Sequence, residues 1–322
     1  MLALERGPAR CQAVESKAPS SGSWEGTLWL ELIAHCNMAC EFCYNPWRPG
    51  GHRGYPENAS AEAMKQAAAR LLESFRFSYV ALSGGEPLLY RPLDELISWL
   101  ADRGQYTVVT TNGLRATRDR LSALQGCGLS AIQVSLLSVS PPVHDRIVGA
   151  RSWEGAVRAL AVAREIGLPT SVNVVVTRQN ISELANLLLL TAGLGIKRVI
   201  VNRLRPAGNA AMASDTLWVS RETFDKAVCE ARETADRFGI EVVCVSPPER
   251  PRGLGPWHRI AVTPDTRLKL CNQSSLTLGH VADFSEADLR ALAAALESGD
   301  LTRYRSFVDN CSCLASYGLV DN

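Results

Sequence analysis

The stretch Cys36-Asn-Met-Ala-Cys-Glu-Phe-Cys43 sets the reading of the whole chain. It follows an apolar run, Leu28-Trp-Leu-Glu-Leu-Ile33, with the composition of a strand. Three thiols crowded into one loop after a strand sit too tightly for a set of disulfides. Clustered thiolates are soft ligands that select zinc or an iron–sulfur cluster. Zinc ribbons use paired hooks that supply four ligands. Here Cys36, Cys40 and Cys43 supply three with no close fourth, so a [4Fe–4S] cluster would keep one iron for a non-protein ligand. Buried, redox-inert thiols are the plainer alternative.

The chain has 322 residues, enough for one large domain and a smaller one. A formal charge of +1 gives no argument for nucleic acid or a membrane surface as partner. No apolar run reaches the ~18 residues of a membrane span. Glu5, Arg6 and Pro8 stand where a signal peptide would be apolar, so a cytoplasmic protein is expected. In that compartment the ten cysteines are read as ligands or catalytic thiols rather than disulfides. They fall into an early group and a late one, Cys271, Cys311 and Cys313, which suggests two metal sites. Cys11, Cys127, Cys229 and Cys244 are scattered.

Residues 1–23 read as a flexible tail ending in Pro19-Ser-Ser-Gly-Ser23. From residue 24 to 205 strand-like and helical segments alternate. Strands are predicted at 28–33, 79–83, 106–110, 131–136, 171–176 and 198–202, and helices at 61–75, 93–102, 118–126, 153–166 and 181–194. Ser60 is placed to begin the first helix, and Asn180 with Glu183 forms the pattern of a capping box. Gly167 and Gly195 stop two helices. Serial β/α units predict a parallel sheet, open or as a partial barrel, with its site at the carboxyl ends of the strands. Residues 206–322 form a different, C-terminal unit. It has a helix at 221–238, a strand at 241–245, a Pro/Gly-rich linker at 246–256, a hairpin about Pro264-Asp-Thr266 and a helix at 286–296.

Two more loops carry polar chemistry. Gly84-Gly85-Glu86-Pro87 follows the second strand, and its glycines would leave backbone N–H groups facing a ligand while Glu86 meets an ammonium. Thr110-Thr111-Asn112-Gly113 ends the third strand with hydroxyls and an amide. Ser135 ends the fourth and Asn173 lies in the fifth.

Together these residues resemble the radical S-adenosylmethionine (SAM) superfamily over about residues 27–205. The match runs from Cys36-x3-Cys40-x2-Cys43 through Gly84–Pro87 and Thr110–Gly113 to the strand Gln133-Val-Ser-Leu136. The resemblance implies an α/β fold, a partial (β/α)6 TIM-like barrel, with a [4Fe–4S] cluster on Cys36, Cys40 and Cys43. SAM would chelate the open iron and be cleaved reductively to a 5′-deoxyadenosyl radical that abstracts hydrogen from substrate. Glu86, with Gly84 and Gly85, would meet the methionyl group, Phe42 the adenine, and Ser135 and Asn173 the ribose or carboxylate. Thr110, Thr111 and Asn112 join this cofactor set. One departure is Leu137-Ser138 in place of the frequent Asp-Gly. His144-Asp145 is read as loop structure rather than acid/base catalysis.

The C-terminal unit resembles a small α+β auxiliary-cluster module of the twitch or reduced SPASM kind. It carries Val262–Thr266, Cys271, Gly279-His-Val281 and Cys311-Ser-Cys313. Thr266 stands where that pattern has Gly. Cys271, Cys311 and Cys313 would hold a second [4Fe–4S] cluster, with His258, Cys244 or an open site as the fourth position. Zinc, or plain thiols, is the alternative there. Cys244 is also the candidate hydrogen-atom donor.

The expected function is hydrogen abstraction from a small polar molecule, such as a sugar, aminocyclitol or nucleoside intermediate in natural-product biosynthesis. Dehydrogenation by an oxidoreductase, epimerisation or decarboxylation would follow. The alternatives are maturation of a ribosomally made peptide and a non-catalytic metal-binding scaffold. An electron donor such as flavodoxin or ferredoxin is the expected protein partner.

Overall fold

The computed structural model describes residues 26–45, 58–205, 207–245, 259–298 and 300–304. The tail at 1–23 with Cys11, the linker at 246–256, Trp257, His258, Cys311 and Cys313 lie outside them.

Strands and helices alternate as the periodicity requires. The first run is β1 (Gly26–Ile33), α1 (Ala61–Ser74), β2 (Phe77–Gly84), α2 (Leu93–Ala101), β3 (Thr107–Thr111), α3 (Arg118–Gly126) and β4 (Ala131–Ser135). After it come α4 (Pro141–Val148), α5 (Trp153–Glu165), β5 (Thr170–Val176), α6 (Leu184–Gly193) and β6 (Arg198–Arg203). Two short helices, α7 (Asn209–Met212) and α8 (Ser214–Leu217), precede α9 (Arg221–Phe238) and β7 (Glu241–Val245). The described part ends with β8 (Arg259–Val262), β9 (Arg267–Lys269), β10 (Gly279–His280), α10 (Glu286–Ser298) and a single 3-10 turn at Thr302–Tyr304.

Local chemistry explains the boundaries. In α1 the Ser60 hydroxyl accepts from Ala63 N at 3.4 Å, and Met64, Ala67, Ala68 and Leu71 make one buried stripe. Gly167 and Gly195 end their helices at φ 74° and 72°. The capping box expected at Asn180 is absent. The Asn180 side chain accepts from Thr177 N and donates to the carbonyls of Leu137 and Val175, so it ties β4 to β5 instead. The helix there starts later, after a 3-10 turn at Ile181–Glu183. Helix α4 was missed because it opens on two prolines, which suit the first turn of a helix yet read as a loop.

One sheet runs through the molecule in the order β10-β9-β8-β1-β2-β3-β4-β5-β6-β7. From β8 to β7 every pairing is parallel, and β9 and β10 append antiparallel. The six predicted units are present as a partial barrel. β7 continues it on one edge and β8 on the other, so the sheet crosses the expected division at residue 205.

The two faces separate by alternation. Val134 packs toward α5, close to Gly113, Ala156 and Ala159. By register Val172, Val199 and Val242 share that outer face. The inner face then carries Glu31, Ser83, Thr110, Gln133, Ser135, Asn173 and Asn202. No helix among the described residues is long and apolar enough to cross a membrane.

Candidate functional site

The cysteine loop lies at the carboxyl end of β1, as expected of a site in a parallel sheet. Cys36, Cys40 and Cys43 are all half-buried. The loop is held from several sides. Ala39 N and Glu41 N donate to the carbonyls of Val148 and Ile147 at 3.0 and 3.1 Å, which fixes it to α4. Gln179 donates to the Glu41 carboxylate at 2.9 Å. Asn209 donates through its side chain to Cys40 O at 3.0 Å and through its backbone to Cys43 O at 2.8 Å. Gly208 just before it, at φ 57°, would place a Cβ 2.4 Å from Cys43 O. The Gly208-Asn209 clamp was not anticipated, since Pro206-Ala-Gly-Asn reads only as a turn.

The Gly84-Gly85-Glu86 turn serves the same loop. Gly85 N donates to Ile33 O and Glu86 N to His35 O. A Cβ on Gly85 would sit 1.9 Å from His35 O. The glycines are therefore needed for close approach of the cysteine loop, and the Gly85 N–H, expected to face a ligand, is already engaged, as is the Glu86 N–H beside it. Gly84 adopts φ 121°, and its carbonyl accepts from the Asn45 amide at 2.6 Å.

Glu86 is buried. It accepts from Thr111 Oγ1 at 2.6 Å, Leu88 N at 3.0 Å and Asn112 N at 2.9 Å. Burial pushes its pKa up, while these three hydrogen bonds favour the carboxylate. Asn112 in turn donates to the Asn37 side chain at 2.8 Å. Glu86, Thr111 and Asn112 thus brace β3 against the cysteine loop. Thr110, Ser135 and Asn173 line the inner face beside them, and Asn173 accepts from Asn202 at 2.7 Å. Thr110 Oγ1 is buried without a partner among the described residues. Phe42 packs under Leu204, Ala210 and Leu217 at the rim.

Cys244 pairs in register with Val201, on the outer, helix-covered face. It points away from Thr110, Ser135 and Asn173, and β7 lies at the opposite sheet edge from β9. This placement does not fit the expected roles of Cys244 as hydrogen-atom donor or second-cluster ligand. His144 and Asp145 lie on helix α4 rather than in the loop expected, and their contacts hold the fold together. His144 Nδ1 accepts from Leu137 N at 3.1 Å, leaving Nε2–H for Ser152, while Asp145 accepts from Ser152 N and Trp153 N. Burial lowers the His144 pKa to about 4. Leu137 and Ser138 are both buried, and the Ser138 hydroxyl is held by Glu183.

Comparison with protein families matches residues 30–191, which span the cysteine loop and the bracing turns, to the family described as the radical SAM superfamily. The chain belongs to the radical SAM superfamily. Curated radical SAM relatives carry the name PqqA peptide cyclase. That of Granulibacter bethesdensis is 27% identical over 286 residues, covering 84% of this chain and 75% of the relative. Those of Rhizobium meliloti and Ruegeria pomeroyi are 32% and 35% identical, over 75% and 62% of this chain and 66% and 54% of their own lengths. The chain thus spans about half to three quarters of the relatives it matches. Among solved structures, Streptococcus suis SuiB bound to S-adenosylmethionine superposes with a TM-score of 0.69 at 14% identity, covering 91% of this chain and 72% of SuiB. The enzyme anSMEcpe with bound AdoMet gives 0.63 at 14% identity, over 82% and 77%. The fold is therefore that of a radical SAM barrel followed by a twitch/SPASM-like module.

The residues present fit the family's cofactors. Cys36, Cys40 and Cys43 put three thiolates on one loop with no fourth cysteine in it, a donor set that suits a [4Fe–4S] cluster with one open iron better than a four-ligand structural zinc. The partnerless Thr110 hydroxyl, which costs about 1–3 kcal/mol when left unmade, marks the inner face as a place for a polar ligand such as SAM.

Proposed function

We propose that this radical SAM enzyme modifies a peptide, forming a new bond within it. The observation that carries this reading is the set of relatives named for peptide cyclisation, one aligned over 84% of this chain. They favour the peptide alternative over the sugar, aminocyclitol or nucleoside substrate expected first. Cys36, Cys40 and Cys43 hold the [4Fe–4S] cluster, and Cys271 with Cys311 and Cys313 holds a second one; the latter two lie outside the described residues. Held by Cys36, Cys40 and Cys43, the first cluster with SAM would supply radical chemistry for hydrogen abstraction, given an electron from an external donor of flavodoxin or ferredoxin type.

The chain's own residues bind and orient. Phe42 covers the rim, and Thr110, Ser135 and Asn173 offer hydroxyls and an amide to SAM on the inner face. Gly84, Gly85, Glu86, Thr111 and Asn112 keep the cysteine loop rigid, and Glu86 Oε2 has a lone pair left for an ammonium.

Incubation with SAM, dithionite and a synthetic PqqA-type peptide, the kind named with the curated relatives, tests the reading. The product should be lighter by a pair of hydrogens and contain a new intramolecular bond. An unchanged peptide, alongside turnover of a sugar or nucleoside, would overturn it.

A further inference from the structure

A buried polar cluster lies where β1, the strand that leads into the cysteine loop, meets the C-terminal hairpin. Glu31 and Lys269 are both completely buried on the inner face. Lys269 Nζ donates to the two Glu31 carboxylate oxygens at 2.8 and 3.0 Å and to Asn272 O at 3.0 Å. Its three protons are thereby all used. Asn272 is the residue after Cys271. Lys269 therefore ties the segment that carries Cys271 to β1, the strand that leads into the cysteine loop.

Nothing in the radical site uses these groups. A buried ion pair is a poor way to gain stability, since an apolar pair of equal volume does as well. It is a good way to fix register, because a displaced partner leaves a bare charge without water. Burial raises the Glu31 pKa to about 7 even though the Lys269 ammonium pulls it down.

We infer that Lys269 and Glu31 are positioning residues that lock the Cys271 segment onto β1, the strand from which the Cys36–Cys43 loop issues, and so set the placement of the second cluster relative to the first. The inference rests on the two-cluster reading above. Neither residue is itself a cluster ligand.

The test uses the full chain, reconstituted anaerobically, with iron counted and each cluster titrated potentiometrically by electron paramagnetic resonance. Wild type should hold roughly eight irons, two cubanes. Lys269→Met should fall toward four, losing the second cluster's signal while the first remains. Glu31→Gln, which keeps an amide oxygen as acceptor for Lys269, should keep both clusters and shift the midpoint potential of the second. Glu31→Gln/Lys269→Met has no stranded charge, so it should recover the fold yet keep the shifted potential. If Lys269→Met and Glu31→Gln both keep two clusters at wild-type potentials, the lock is overturned. A wild-type chain holding only four irons would overturn the two-cluster reading itself, and the lock with it.

Discussion

Lys269 and Glu31, far apart in sequence, meet as a fully buried ion pair with Nζ 2.8 Å from Glu31 Oε1. It joins the first strand of the barrel to the hairpin that follows the barrel. Removing one partner should be far worse than removing both. Lys269→Met should lower unfolding stability by about 3–5 kcal/mol. The double variant Glu31→Gln/Lys269→Met should recover most of that. Urea denaturation of the three proteins measures the coupling; additive losses would refute it.

Gly85→Ala would push a methyl into His35 O, a backbone atom that cannot swing aside. The turn must shift and take the cysteine loop with it. We expect a stability loss of about 1–3 kcal/mol, as for overpacking elsewhere, and a larger loss of iron from the first cluster. Iron content against circular dichroism separates the two effects. A folded variant with full iron would contradict the close-approach account.

His144 gives the fold a pH dependence. Its folded pKa is lowered to about 4 from 6.5 because burial disfavours the imidazolium. Between these values the unfolded chain binds the proton and the folded one does not, so stability is full above pH 6.5 and is lost as pH falls toward 4. The loss amounts to about 3 kcal/mol. Denaturation at stepped pH should show this slope in wild type and a flatter one in His144→Asn. Equal slopes would assign the acid sensitivity to other groups.

Thr266 takes a left-handed conformation, φ 65°, at the tip of the β8–β9 hairpin. Such a conformation costs a residue with a Cβ about 1–2 kcal/mol, against about 0.5–1 kcal/mol for the extra freedom of an unfolded glycine. Thr266→Gly should therefore be neutral to stabilising, by up to about 1 kcal/mol, with a higher Tm. A clear drop would mean that the Thr266 side chain makes a contact worth more than the strain.

The barrel was legible because its signals are local. Alternating strands, the Ser60 cap and the helix-ending glycines at 167 and 195 each reside within a few residues. The cysteine loop and the two polar turns could likewise be read as a site. Their division of labour could not. Glu86, Thr111 and Asn112 look like ligand contacts in sequence, but they face one another in space and brace the loop. Cys244 turned outward because strand parity depends on register, which a lone strand does not reveal. The Glu31–Lys269 pair did leave a trace: each is a single charge inside an apolar run, Leu30-Glu-Leu32 and Leu268-Lys-Leu270. Charged residues are almost never fully buried unless paired, so two such interruptions invite a search for each other. The Gly208-Asn209 clamp left no such mark.

The central claim is that the Cys36–Cys43 site generates a radical that takes hydrogen from a peptide. The most direct measurement follows deuterium from a side-chain-deuterated precursor peptide into 5′-deoxyadenosine by mass spectrometry, with the reconstituted full chain, SAM and dithionite. The account predicts deuterated 5′-deoxyadenosine in step with peptide product, and none from the Cys40→Ala variant. 5′-Deoxyadenosine that stays free of deuterium while the cluster is intact would contradict it.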